Sequence, residues 1–212
     1  MQKGFDLKEF MDIEKKVIKA ISLKDSISDI KTVASFEIAS INKKYKCCAV
    51  VIDYNSLAEI EVNFTEGDEL MSYSPRTIPF REGPIIMEAY RNLKNKPDVL
   101  IIRGDGALRR SKVGLASYVG VLINKPTIGV TKELIHGVLN EDNIMIDDEI
   151  KGKALKIKEL ANPVYISPGH GLSVDKSLEI IKKVSDPEYK LPLPMHLAHK
   201  YINKVKKWLY LQ

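Results

Sequence analysis

Between residues 32 and 64 the chain carries three apolar, β-branched stretches: Thr32 to Ser40, Tyr45 to Tyr54 and Leu57 to Phe64. Only Asn42-Lys43-Lys44 and Asn55-Ser56 lie between the clearest of them, too little chain for a crossover, so each strand must turn back on the last. The pattern predicts a three-stranded antiparallel meander. Ahead of it, Phe10, Ile13, Val17, Ala20 and Ile21 recur at helical spacing and predict an amphipathic helix over residues 7–23.

After the meander the pattern changes. A polar loop runs from Thr65 to Pro79, and Pro84 suits the first turn of a helix whose apolar face is Ile86, Ala89, Tyr90 and Leu93. Val99-Leu100-Ile101-Ile102 reads as a fully buried strand. Leu115, Tyr118, Val119 and Leu122 form one face of the next helix, and Pro126 to Val130 is a further short strand. Alternation of strand and helix implies crossovers and parallel pairing. Residues 134–167 read as short strands and turns. Ser173 suits the cap of a helix reaching about Val184, and Pro192 and Pro194 precede a terminal helix carrying Leu197, Tyr201, Val205 and Trp208.

A meander followed by β-α-β-α-β is the element order of an α/β, ribonuclease H-like fold, a central mixed sheet flanked by helices. Catalytic groups in such folds gather near the ends of the central strands. The strands near Glu37 and Ile102 are expected to be adjacent and parallel. No internal repeat, low-complexity segment or linker interrupts residues 1–212, so one domain is expected.

Composition narrows the function classes. No apolar run approaches the ~20 residues needed to span a bilayer, and the N-terminus shows no signal-peptide core, so a cytoplasmic protein is expected. The only cysteines, Cys47 and Cys48, are adjacent on a strand and point to opposite faces, which excludes a disulfide framework or Cys-rich zinc site. Their expected role is buried packing. The formal net charge of +5 suits a polyanionic partner, although Lys200, Lys204, Lys206 and Lys207 are spaced as a solvated helix face.

Several local motifs sharpen this. Tyr73-Ser74-Pro75-Arg76-Thr77-Ile78-Pro79-Phe80-Arg81-Glu82-Gly83-Pro84 resembles the segment of the endonuclease V family in which a Tyr-containing wedge loop precedes Phe-Arg-Glu-Gly-Pro. Gly114-Leu115-Ala116-Ser117 resembles that family's helix after its second acidic strand. Ile128-Gly129-Val130-Thr131-Lys132 is similar to its Gly-Val-Ala-Lys strand end. Tyr165-Ile166-Ser167-Pro168-Gly169-His170 resembles its histidine loop, and Leu191-Pro192-Leu193-Pro194 the approach to its last helix. The matches follow the family's order over roughly residues 30–200.

The resemblance implies a Mg²⁺-dependent endonuclease of DNA repair that recognises deaminated bases, chiefly hypoxanthine, and cuts the strand on the 3′ side without removing the base. It implies DNA or RNA as partner. Glu37, Glu82, Lys132 and His170 become the expected catalytic residues, and Tyr73, Pro75, Arg109 and Arg110 the expected nucleic-acid contacts. Hydrolysing a phosphodiester needs a cation cluster with hard oxygen ligands, for which Glu37 and Glu82 are the expected donors, with Asp105 a further one.

The chain also departs from the family. The first-strand aspartate falls on Glu37, whose extra methylene adds about 1.5 Å of reach and disturbs octahedral geometry. The second-strand aspartate falls on Arg103, which cannot ligate Mg²⁺ and stays protonated. Arg109-Arg110 stand where the family usually has His-Pro, and Gly171 follows His170 where a basic residue is common. Arg103 is expected to lie between Glu37 and Glu82, occupying electrostatically the place of the missing cation.

Each residue carries a second reading. Glu82 at a helix start could serve the helix dipole; His170 could be a turn residue, Lys132 a surface lysine, and Tyr73 an exposed side chain rather than a base-stacking one. Two functions follow: a nuclease on a metal site rebuilt from Glu37, Glu82 and Asp105, or a non-catalytic nucleic-acid-binding or regulatory protein on the same scaffold.

Overall fold

A computed structural model describes residues 7–69, 71, 74, 77–108 and 112–209, the side chains of residues 7–9 and 209 excepted. The meander forms as β1 (Thr32–Ile41), β2 (Lys44–Asp53) and β3 (Glu59–Asp68). Asn42 and Lys43 make the first turn with φ of 51° and 61°, the left-handed pair that matches the twist of a two-residue hairpin. Strand β3 runs four residues past the apolar stretch. There Glu66 and Asp68 face Lys46 and Lys44 across the ladder, so opposite charges sustain a pairing that hydrophobicity does not reveal.

A helix α1 (Leu7–Ala20) precedes the meander. The remainder comprises α2 (Ile78–Asn92), β4 (Val99–Arg103), α3 (Leu115–Ile123) and β5 (Thr127–Thr131), then β6 (Val138–Asn140), β7 (Asn143–Ile146), β8 (Glu149–Leu155) and β9 (Val164–His170), and finally α4 (Val174–Lys183) and α5 (Leu193–Leu209). Helix α2 starts six residues before Pro84. Pro79 takes the first turn, where a missing N–H costs nothing, and Pro84 lies inside the helix. Glu82 therefore sits beyond the first turn, and the dipole reading loses its basis.

Among the described residues the nine strands join one mixed sheet in the order β3-β2-β1-β4-β5-β9-β8-β7-β6. Strands β1 and β4 are adjacent and parallel with Phe36 opposite Ile102, as expected, and β4 and β5 are parallel too. The two-residue period of a strand then sorts the apolar side chains onto two faces. Ala34, Phe36, Leu100 and Ile102 pack with α1, α2 and α3; Val33, Val99 and Ile101 pack with α4 and α5. Cys47 and Cys48 divide between these cores, both buried and unpaired. Burial pushes the Cys48 thiol up to about 12 and Cys47 higher still, which keeps both protonated and inert. Among the described residues no helix is long and apolar enough to cross a membrane.

Candidate functional site

Strand parity places the first two residues of the site. Glu37 and Arg103 share the odd-numbered face of β1 and β4, and Arg103 follows directly on Ile102, the partner of Phe36. They are neighbours across a parallel pair at the carboxyl end of β4, and the Arg103 Nη1 donates to Glu37 Oε1 at 2.6 Å. The Glu37 side chain is only 7% exposed, whereas that of Arg103 is 53% exposed. The Gly104-Asp105-Gly106 turn that ends β4 lies tight over β5. A Cβ on Gly129 would sit 2.4 Å from the Gly106 nitrogen and 2.5 Å from the Gly104 oxygen, so only glycine admits this approach.

Helix α5 brings a further group. His199 Nδ1 lies 3.1 Å from the same Glu37 oxygen, and the Asn203 amide lies 2.9 Å from His199 Nε2. With the amide donating to Nε2, the ring proton sits on Nδ1 and is donated to Glu37. Glu37 is thus held from β4 on one side and α5 on the other.

Across the cleft, Glu82 pairs with Arg81, Nη1 to Oε1 3.7 Å. Arg81 also pairs with Glu69, donates from Nε to the Met71 carbonyl at 3.3 Å, and lies over the Tyr45 ring at 5.2 Å. It therefore ties this wall to the chain leading towards Tyr73. Burial raises the Glu82 carboxyl above the usual carboxylate range; Arg81 and Arg103 pull it down, and Glu37 pushes it up. Glu37, Arg81, Glu82, Arg103, Lys132 and Glu133 line a cleft of about 490 Å³. Its formal charges balance.

A model of the endonuclease V family matches residues 14–200. The chain belongs to the endonuclease V family. Endonuclease V of Dictyoglomus thermophilum is 36% identical over 210 residues, 95% of this chain and 92% of its own. That of Bacillus thuringiensis subsp. konkukian is 31% identical over 220 residues, 96% of this chain and 94% of its own. The Bacillus subtilis endonuclease V structure superposes with a TM-score of 0.89 at 26% identity, over 99% of this chain and 96% of that one. Ciona intestinalis endonuclease V, solved with a 24mer DNA containing an inosine followed by a ribo-adenosine, shares the fold at TM-score 0.84 and 24% identity, over 96% and 98% of the two chains.

Of the residues an endonuclease V resemblance singles out, the fold brings Glu37, Glu82, Lys132 and Arg103 to one cleft. Arg103 bonds Glu37 but makes no ion pair with Glu82, which it reaches only through space. His170 is elsewhere. It pairs with Thr127 at the opposite end of β5, about 13 Å along the strand from Thr131. There its Nδ1 accepts from the Ser22 amide at 3.3 Å, and burial lowers its pKa. Asp105 is buried away from the cleft lining, 3.8 Å from His136 Nε2. Tyr73, Pro75, Arg109 and Arg110 lie outside the described residues.

The Mg²⁺ that the family implies does not fit these side chains. Among the described residues no three of His, Cys, Asp and Glu are grouped to hold a metal ion. Glu37 Oε1 already accepts from a guanidinium and an imidazole. An ion on that oxygen would stand beside the Arg103 guanidinium, a like charge already in hydrogen-bond contact with it.

His199 and Asn203 were invisible to the sequence reading. Their only local signal is an i, i+4 polar pair on a helix face that otherwise carries Met195, Ala198 and Ile202 to the core. Arg81 belongs to the Phe80-Arg81-Glu82-Gly83-Pro84 motif, yet nothing in that motif announces its contacts to Glu69 and Met71.

Proposed function

We propose that this chain engages nucleic-acid strands, DNA or RNA, that carry deaminated bases, hypoxanthine first, and that its Mg²⁺-dependent cleavage on the 3′ side is weakened or lost. Family membership and the inosine-containing DNA held by the Ciona protein support the substrate class. The observation that carries the loss of cleavage is the Arg103–Glu37 bond, which puts a fixed monocation where hydrolysis needs a divalent one. The wall held by Arg81 and the exposed Lys132 give the cleft the means to position a strand without cutting it.

The test sets an inosine-strand cleavage assay in Mg²⁺ or Mn²⁺ beside a binding measurement in EDTA. We expect tighter binding to the inosine strand than to its undamaged control, and no scission. Tyr73→Ala should weaken that binding by about 1–3 kcal/mol for the lost base stack. Cleavage that disappears in Glu82→Gln would instead establish a nuclease rebuilt on Glu37 and Glu82.

A further inference from the structure

We infer that Arg103 is itself a phosphodiester-binding residue, presenting to a backbone phosphate the positive charge that a divalent ion would otherwise supply. The inference deepens the function proposed above and rests on it for the class of ligand. Among the described residues the one hydrogen-bond partner of the Arg103 side chain is Glu37, through a single Nη1 contact. A guanidinium has five donors in a planar fork matched to carboxylate and phosphate oxygens. One nitrogen of the fork is anchored, and the rest of a half-exposed side chain lines the cleft.

The anchor matters as much as the free edge. Glu37 is held in turn by the Nδ1–H of His199, whose far nitrogen takes the Asn203 amide, so a chain of contacts from α5 fixes the carboxylate on which one guanidinium nitrogen is tethered. An arginine held in this way loses little side-chain freedom when a phosphate arrives. Lys132, immediately after neighbouring β5, stands on the same cleft with an exposed ammonium. Arg81, by contrast, is occupied by Glu69, Glu82 and the Met71 carbonyl. The guanidinium that stands beside the Glu37 oxygen in place of a divalent cation, with Lys132 on the same cleft, therefore offers positive charge to the single negative charge of a phosphodiester.

The test is fluorescence anisotropy with a labelled oligonucleotide containing one inosine, and the same strand without it, titrated in EDTA and in millimolar Mg²⁺ across a range of salt. The parent should bind equally well, within about twofold, in both buffers. Arg103→Gln should weaken binding to both strands by about tenfold and reduce the slope of log K against log salt by about one. Should Arg103→Gln not fold, the doubly neutral Glu37→Gln/Arg103→Gln variant, checked by its melt, carries the same expectation. Parent-like affinity and salt slope in either folded variant overturns the inference. So does a parent whose binding tightens tenfold or more on adding Mg²⁺. Equal parent affinity for the two strands, with the Arg103 dependence intact, would refute hypoxanthine recognition and leave the phosphate contact standing.

Discussion

Removing the guanidinium from beside Glu37 would leave a carboxylate that is almost wholly buried, with only the His199 ring to serve it. Hydrogen bonds to charged groups contribute more than neutral ones, and a buried charge left without its partner costs most. Arg103→Met should therefore destabilise the fold by about 1–3 kcal/mol in denaturant unfolding. Glu37→Gln/Arg103→Met should recover most of that loss, because no buried charge remains; a double variant no more stable than the single one would show that the pair is not coupled. Glu82 behaves in the opposite sense. Its folded pKa is raised, chiefly by burial, so the native state holds the proton more tightly than the unfolded chain does. Its ionisation therefore subtracts stability as pH climbs from the unfolded carboxylate value through the folded one. Glu82→Gln should melt higher than the parent at neutral pH, and the gap should close at a pH where both states are protonated. Melts separated by the same interval at both pH values would contradict this.

At the scale of elements, the caps and turns behave locally and can be tested locally. Ser173 Oγ accepts from the Lys176 amide at 3.1 Å, so Ser173→Ala should cost about 1 kcal/mol by denaturation, with nucleic-acid affinity unchanged. That cap, the meander and the parallel β1–β4 pair were all legible in the sequence, because each rests on short-range rules of period, turn length and capping. The failures have equally local causes. Strand β3 extends past Phe64 because Glu66 and Asp68, loop-like by residue type alone, face Lys46 and Lys44 across the ladder. Helix α2 begins at Ile78 rather than at Pro84: two prolines five residues apart both suit a first turn, and Pro79 is the one that takes it. His170 illustrates the same limit: the Pro-Gly-His string resembles a family loop, but strand direction carries it to the far end of β5. Its lowered pKa means that the fold should lose stability as pH falls below the unfolded histidine value, through the folded one. His170→Gln should flatten that acid limb in melts from neutral to mildly acid pH, and an unchanged limb would count against a structural role.

At the scale of the whole molecule, the cleft is assembled from chain segments that sequence order keeps far apart. Glu37 and His199 are separated by 162 residues, and Glu37 and Arg103 by 66. The motif positions of Glu37, Glu82 and Arg103 were readable one at a time. Their convergence at one end of the sheet, and the arrival of His199 on α5, were not, because helix-on-sheet packing leaves only an apolar stripe in the sequence. The central claim, that a guanidinium holds the place of a divalent cation, is tested most directly by thermal melts in EDTA and in millimolar Mg²⁺ or Mn²⁺. Metal should leave the parent's melting temperature unchanged. Glu37→Asp/Arg103→Asp should melt lower than the parent in EDTA, from repulsion among acidic groups, and recover on adding metal, a gain of about 2.7 kcal/mol where free metal reaches 100 times its dissociation constant. Strong metal stabilisation of the parent, or none of the double variant, would contradict the account.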